Sequence, residues 1–184
     1  IRDLDIPEEL AVPGVAVKEA AFPFNRFDVD VILGPEMRST GEVMGFDDSF
    51  GMAFAKAQVS AGNVLPEEPG NIIVTVNSRD KATVTPILRR FHDLGFKIMA
   101  TKGTQEYLKR LGLPAEPVFK VNEGRPNIVD HIVSGDVRLL INTPLGRESH
   151  YDDYAMRRAA IMYKTPYLTT MSATSAACDA LIAL

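Results

Sequence analysis

Five short, largely apolar runs, separated by stretches with helical periodicity, fill residues 70–184 and constrain the chain more than any other feature. The first, Asn71-Ile72-Ile73-Val74-Thr75-Val76, is almost wholly apolar, the mark of a strand buried on both faces. The others are Phe96-Lys97-Ile98-Met99-Ala100, Val118-Phe119-Lys120-Val121, Arg138-Leu139-Leu140-Ile141-Asn142 and Pro166-Tyr167-Leu168-Thr169. After the first strand, Val84, Ile87, Leu88, Phe91 and Leu94 share one helical face ending near Gly95, with Pro86 expected at the first helical position behind a Thr85 cap. Thr104 is expected to cap a short helix carrying Tyr107, Leu108 and Leu111 and closed by Gly112. Helices follow over 127–134, over 151–163 and from 170 to the end. Such alternation predicts an α/β fold, a parallel sheet of about five strands with helices on both faces.

Residues 1–46 have a different texture, rich in Pro and Gly. Only 15–22 reads as a strand, stopped by Pro23. A helix is predicted from Ser49 to Ala61, with Phe50, Phe54, Ala57 and Ala61 on one face, Asp47 or Asp48 as cap and Gly62 as stop. The patch Met37-Arg38-Ser39-Thr40-Gly41-Glu42 reads as a surface turn, and 62–70 as a linker. One strand and one helix make no independent core, so this α+β segment must pack on the second or on something further. The expected division is therefore 1–65 and 66–184.

Composition narrows the function. With 20 Lys plus Arg against 24 Asp plus Glu, the net charge of −4 argues against a mainly electrostatic nucleic-acid binder. A single cysteine, Cys178, excludes an internal disulfide framework and reads as a small buried helix residue. No apolar run approaches the ~20 residues of a membrane helix. Residues 1–5 show neither a signal-peptide pattern nor an initiator Met, so a piece of a longer chain is expected. His92, His131 and His150 are isolated and lack metal-ligand spacing, and no standard nucleotide-binding glycine loop occurs, so neither metal nor catalytic residues are expected.

In a parallel sheet the ligand crevice lies beyond the carboxyl ends of the strands. The loops there hold Arg79, Lys81, Lys102, Arg125 and Arg147, with Lys120 at a strand end, so an acidic chain gathers positive charge on one rim. In Thr101-Lys102-Gly103-Thr104, a glycine that lets N–H groups turn outward, a helix N-terminus and two hydroxyls suit a phosphate. Lys81 and Lys120 would add point charge. The other reading of these residues is an ordinary cap and turn with solvated lysines.

Two stretches carry a family resemblance. Leu33-Gly34-Pro35-Glu36-Met37-Arg38-Ser39-Thr40-Gly41-Glu42-Val43-Met44-Gly45, preceded by Val17-Lys18-Glu19 and Pro23-Phe24-Asn25, resembles the end of the second ATP-grasp unit of carbamoyl phosphate synthetase large subunits. Residues 70–184 resemble the methylglyoxal-synthase-like allosteric domain that follows it, through Thr101-Lys102-Gly103-Thr104, Val121-Asn122-Glu123-Gly124-Arg125-Pro126 and Ile141-Asn142-Thr143-Pro144-Leu145-Gly146-Arg147. The resemblance implies a regulatory domain that does no chemistry itself. It places a nucleotide monophosphate of the UMP or IMP type against Thr75, Lys81, Thr101, Thr104, Lys120, Asn142, Thr143 and Pro144, and an ornithine-type effector against Glu19, Leu33 and Thr169. Pro144 stands where some members have Thr, which removes one hydroxyl. For the complete subunit it implies a cytoplasmic ligase that makes carbamoyl phosphate for arginine and pyrimidine synthesis. It further implies ATP with Mg or Mn and K as cofactors elsewhere in that subunit. Its implied partners are the rest of the large subunit, a small glutamine amidotransferase subunit and further copies of itself, with neither nucleic acid nor membrane.

The runner-up is a free-standing methylglyoxal synthase-type lyase acting on dihydroxyacetone phosphate. Such an enzyme needs an Asp base in the loop after the third strand of this region. The aligned position is Arg125, and a guanidinium stays protonated near neutral pH. His150 with Asp152 or Asp153 echoes the lyase's His–Asp pair but has no base to assist. A phosphosugar-binding domain of other parentage is the third reading.

Overall fold

The computed structural model describes residues 13–21, 41–143 and 150–184. In chain order the elements are β1 (Val15–Ala21), β2 (Gly41–Asp47), α1 (Phe50–Ala61), β3 (Asn71–Val76), α2 (Lys81–Asp93), β4 (Lys97–Thr101) and α3 (Lys102–Arg110). They continue with β5 (Glu116–Val118), α4 (Ile128–Val133), β6 (Val137–Thr143), α5 (His150–Met162), β7 (Tyr167–Leu168) and α6 (Met171–Ala183).

The main sheet has the order β5-β4-β3-β6-β7, all parallel. Strand β3 obeys the two-residue period of a pleated strand. Ile72, Val74 and Val76 enter one core with Leu88, Phe91, Ile98, Leu139, Ile141 and Cys178. Ile73 points to the other, with Met99, Leu140, Ile128, Ile132, Met156 and Ala160. Helices α1, α2, α3 and α6 cover the first face, and α4 and α5 the second. The predicted sheet with helices on both faces is thus present.

Chain direction across this sheet reverses beside β3. From β3 the chain steps outward to β4 and β5, then returns to place β6 on the opposite side. The loops after β3 and β6 therefore leave in opposite directions and open a crevice at the strand ends, the usual ligand position in open α/β sheets.

Several local expectations are corrected. The turn expected around Gly41 and Glu42 is instead the start of β2, antiparallel to β1; residues 37–40 lie outside the described residues. Gly45 lets β2 lie against α1, since a Cβ there would fall 2.0 Å from the Ala53 carbonyl oxygen. Ser49 caps α1, its Oγ accepting from the Met52 N–H, while Asp47 accepts from the Ser49 N–H and pairs with Lys56. Pro86 lies inside α2, which starts at Lys81, and the Thr85 hydroxyl donates to the Lys81 carbonyl. Thr101, not Thr104, occupies the N-cap position of α3, without a side-chain capping bond. The third sheet strand ends at Val118 instead of beginning there. Within the expected linker, Leu65 is buried in the first core.

The first segment packs on the second through α1 and α6. A Cβ on Gly51 would lie 2.6 Å from the Asp179 carbonyl oxygen, so glycine permits the close helix approach.

Candidate functional site

Three helix and loop starts meet at the crevice. After β3, Asn77 organises an Asx turn, its Oδ1 accepting from the N–H groups of Arg79 (2.8 Å) and Asp80 (3.2 Å). Its Nδ2 donates to the Asp80 carboxylate and to Thr143 Oγ1 (3.1 Å), which also accepts from the Asn77 N–H (3.2 Å). This stitch across the crevice fixes the start of α2, whose first residue is Lys81. The ammonium of Lys81 then crosses to α3 and donates to the Gly103 carbonyl at 2.9 Å.

Helix α3 begins at the same place. Its N-cap Thr101 has extended backbone, and its hydroxyl makes no capping bond. The first-turn N–H groups of a helix have no intrahelical partners. Here the cap side chain takes none of them, so they and the positive helix end remain for a ligand. Gly103 has no positive φ; its contribution is the absence of a side chain beside Lys81, not an unusual turn.

The result is a cavity of about 750 Å³. Thr75, Lys81, Thr101, Thr104, Lys120, Asn142 and Thr143 all line it. These are the sequence-predicted nucleotide positions within the described residues; Pro144 lies outside them. Thr101, Thr104, Asn142 and Thr143 are buried, Lys120 is exposed, and Arg79 joins the rim. Lys102 does not line the cavity, Arg125 lines a separate hollow, and Arg147 lies outside the described residues. Val121, Ile128 and Met156 supply an apolar wall.

At the far side of the cavity is a polar group that sequence reasoning left unassigned. Asn142 Nδ2 donates to Asp153 Oδ1 (2.6 Å) and to the Tyr167 hydroxyl (2.7 Å). That hydroxyl donates to Asp153 Oδ1 (2.9 Å), and Arg157 pairs with Asp153 Oδ2 at 2.8 Å. The Arg157 guanidinium lies 5.7 Å from the Tyr167 ring centre, in cation–π range. Burial first, with the adjacent Asp153 charge, pushes the Tyr167 phenol up to about 12, against the donation from Asn142 that lowers it. In the sequence Asp153 stands out only beside His150, and Tyr167 only as a strand residue. Asn77 had a readable signal, since Asn three residues before Asp at a strand end is a turn signature.

The ornithine-type positions are not gathered at this cavity. Glu19 lies on β1, where its carboxylate accepts from Gln58 Nε2 of α1 at 3.0 Å. Burial raises its pKa, partly offset by that bond. Thr169 is exposed just before α6, and Leu33 lies outside the described residues. Glu19 and Thr169 share no hydrogen bond. Arg125, at the lyase's base position, is highly exposed and 3.8 Å from Asp130. Among the described residues no group of three or more His, Cys, Asp or Glu could hold a metal ion, and no helix is long and apolar enough to cross a membrane.

The fold is a doubly covered parallel sheet with an anion-suited cavity at its strand ends, and residues 83–169 match the family described as "MGS-like domain". The whole chain aligns at 50% identity with the carbamoyl phosphate synthase large chain of Gemmatimonas aurantiaca, over 17% of that protein. It is 49% identical, over 96% of its length, to the carbamoyl phosphate synthase large chain, C-terminal section, of Aquifex aeolicus, and covers 32% of it. The corresponding section from Methanopyrus kandleri is 51% identical over 92% of the chain, and 32% of it is covered. High identity to carbamoyl phosphate synthase large chains thus runs along nearly the whole chain, which corresponds to a small C-terminal part of them, less than a third of the length of these relatives. The match favours the regulatory reading over the free-standing lyase.

Proposed function

We propose that this chain is the effector-binding end of a carbamoyl phosphate synthase large chain. Residues 66–184 act as the allosteric domain and residues 1–65 as the tail of the second ATP-grasp unit. The cavity takes a nucleotide monophosphate of the UMP or IMP type. Its phosphate sits at the N-terminus of α3 between Lys81 and Lys120, with Thr101 and Thr104 donating, and its base lies against Val121 and Ile128. What carries this reading is one observation: the described sequence-predicted nucleotide positions, drawn from three strands and three connecting segments, all line a single cavity at the sheet's reversal point.

Binding there works by charge-assisted hydrogen bonds and oriented N–H groups, without bond making. In the complete cytoplasmic enzyme, ATP and the ions Mg or Mn and K act in other parts of the large chain, and a small glutamine amidotransferase subunit supplies ammonia. The effector alters that synthesis through its differential affinity for the enzyme's states. An ornithine-type effector at Glu19, Leu33 and Thr169, and association of copies, complete the regulatory reading.

Titration of the chain with UMP and IMP tests it. Either ligand raises the unfolding free energy by RT ln(1 + [L]/Kd), about 2.7 kcal/mol at a hundredfold excess over Kd. Uridine, which lacks the phosphate, gives a far smaller shift. Absence of any shift at millimolar nucleotide removes the proposal, and turnover of dihydroxyacetone phosphate at an enzyme-like rate revives the lyase.

A further inference from the structure

The polar group at the far side of the cavity, which Asp153 helps to line and Tyr167 and Arg157 do not, has a fixed hydrogen-bond polarity. The Asp153 carboxylate, paired with Arg157, can only accept. The Asn142 atom facing it at 2.6 Å must therefore be the NH2 group. The second N–H of that amide goes to the Tyr167 hydroxyl, and the hydroxyl's own proton goes to Asp153. The donors of Asn142 and of Tyr167 are thus all committed. What remains is Asn142 Oδ1. It is not among the buried polar atoms left without a partner, and Asn142 lines the cavity, so this oxygen is open to it. The raised phenol pKa keeps the Tyr167 proton in place across the neutral range.

Position identifies what the oxygen meets. Asn142 pairs in register with Thr75 on β3, and β4, which ends at Thr101, is the next strand over. Strands are about 4.8 Å apart, so Asn142 stands roughly 10 Å from the phosphate end of the cavity. The sugar of a nucleotide spans that interval, whereas a bare phosphate does not.

From this, and resting on the effector-site reading above, we infer that Asp153, Tyr167 and Arg157 are positioning residues that hold Asn142 as a one-way acceptor, making the cavity selective for phosphorylated ligands whose sugar carries a free hydroxyl. A site built to bond a hydroxyl rejects the analogue lacking it, because its own polar atom is left unpaired.

The test measures the affinities of the chain for UMP and for 2′,3′-dideoxyuridine monophosphate, in the wild type, in Tyr167→Phe and in Asp153→Asn. The readout is the ratio of the two, because altered cavity charge or loosened packing moves both ligands together. The wild type prefers UMP roughly tenfold, within the range of one well-made hydrogen bond. Tyr167→Phe lowers the preference to about threefold, since the carboxylate still orients the amide. Asp153→Asn, whose own amide can face Asn142 either way, brings it within about twofold of unity. Should Asp153→Asn not fold, Tyr167→Phe decides alone. Equal wild-type affinities for the two nucleotides, or a ratio unmoved in the variants, overturn the inference and leave the effector site standing. Binding of neither nucleotide to the wild type overturns the effector site, and the inference with it.

Discussion

Lys81 Nζ donates to the carbonyl oxygen of Gly103 at 2.9 Å, joining the first turn of α2 to the first turn of α3. The contact sets a cation beside a helix N-terminus, two favourable influences on one anion. It also makes Gly103 a position where ligand binding and folding can be separated. A Cβ there would lie 3.5 Å from the ammonium, an ordinary contact, and the backbone is not left-handed. Gly103→Ala should therefore leave the thermal midpoint of the free chain unchanged or slightly higher, since alanine is the better helix former by up to about 1 kcal/mol. UMP affinity, measured by calorimetry, should fall about tenfold because the methyl group occupies the approach to the α3 N–H groups. Unchanged affinity would show that the ligand does not use this end of α3.

Lys120 reaches the same cavity from a different connection, the turn after β5, and its side chain is exposed. An exposed lysine contributes little to folding, yet a charge-assisted bond to phosphate is worth roughly 1.5–3 kcal/mol. Lys120→Ala should raise the Kd for UMP at least tenfold, reduce the salt dependence of binding and leave the denaturation midpoint within error of the wild type. An unaltered Kd removes Lys120 from the site.

The contact between α1 and α6 sets how firmly the first segment rests on the second. Gly51 meets the Asp179 backbone there, and backbone cannot move aside as a side chain can. Gly51→Ala should cost about 1–3 kcal/mol, the usual range for overpacking. Urea denaturation measures that loss, and calorimetry should find UMP affinity preserved, because the cavity lies at the strand ends. A stable Gly51→Ala chain would mean that the two segments are only loosely joined.

What could be read in the sequence was whatever depends on neighbours along the chain. The run of residues 71–76 announces a doubly buried strand because its apolar residues need a dry environment on both faces, and a glycine stop such as Gly62 ends its helix locally, whereas neither Thr85 nor Thr104 caps one. The α3 end of the cavity was legible for the same reason: Thr101-Lys102-Gly103-Thr104 joins a strand end to a helix start in one string. Strand β2 was not, since Gly41 and Gly45 argue against a strand until α1 packs on it. Pro86 likewise signals a helix start until Lys81 is seen to begin the helix earlier. The set formed by Asn142, Asp153, Arg157 and Tyr167 was illegible because it unites β6, α5 and β7. A lone Asp with an Arg four residues on reads as an exposed helical pair until the sheet closes over it.

Tyr167 gives that same set a pH signature. Its phenol, held up at about 12 chiefly by burial, ionises near pH 10 once the chain unfolds. Between these values the unfolded state holds fewer protons at this residue than the folded state, so stability must decline as pH rises. Below about pH 10 both states keep the proton and the effect vanishes. Urea midpoints at pH 9, 10 and 11 should therefore fall more steeply for the wild type than for Tyr167→Phe, which has no proton to lose at that position. The other tyrosines contribute equally to both chains and cancel in the comparison. Parallel slopes would mean that Tyr167 ionises as readily in the folded chain as in water, which is incompatible with a hydroxyl committed to Asp153.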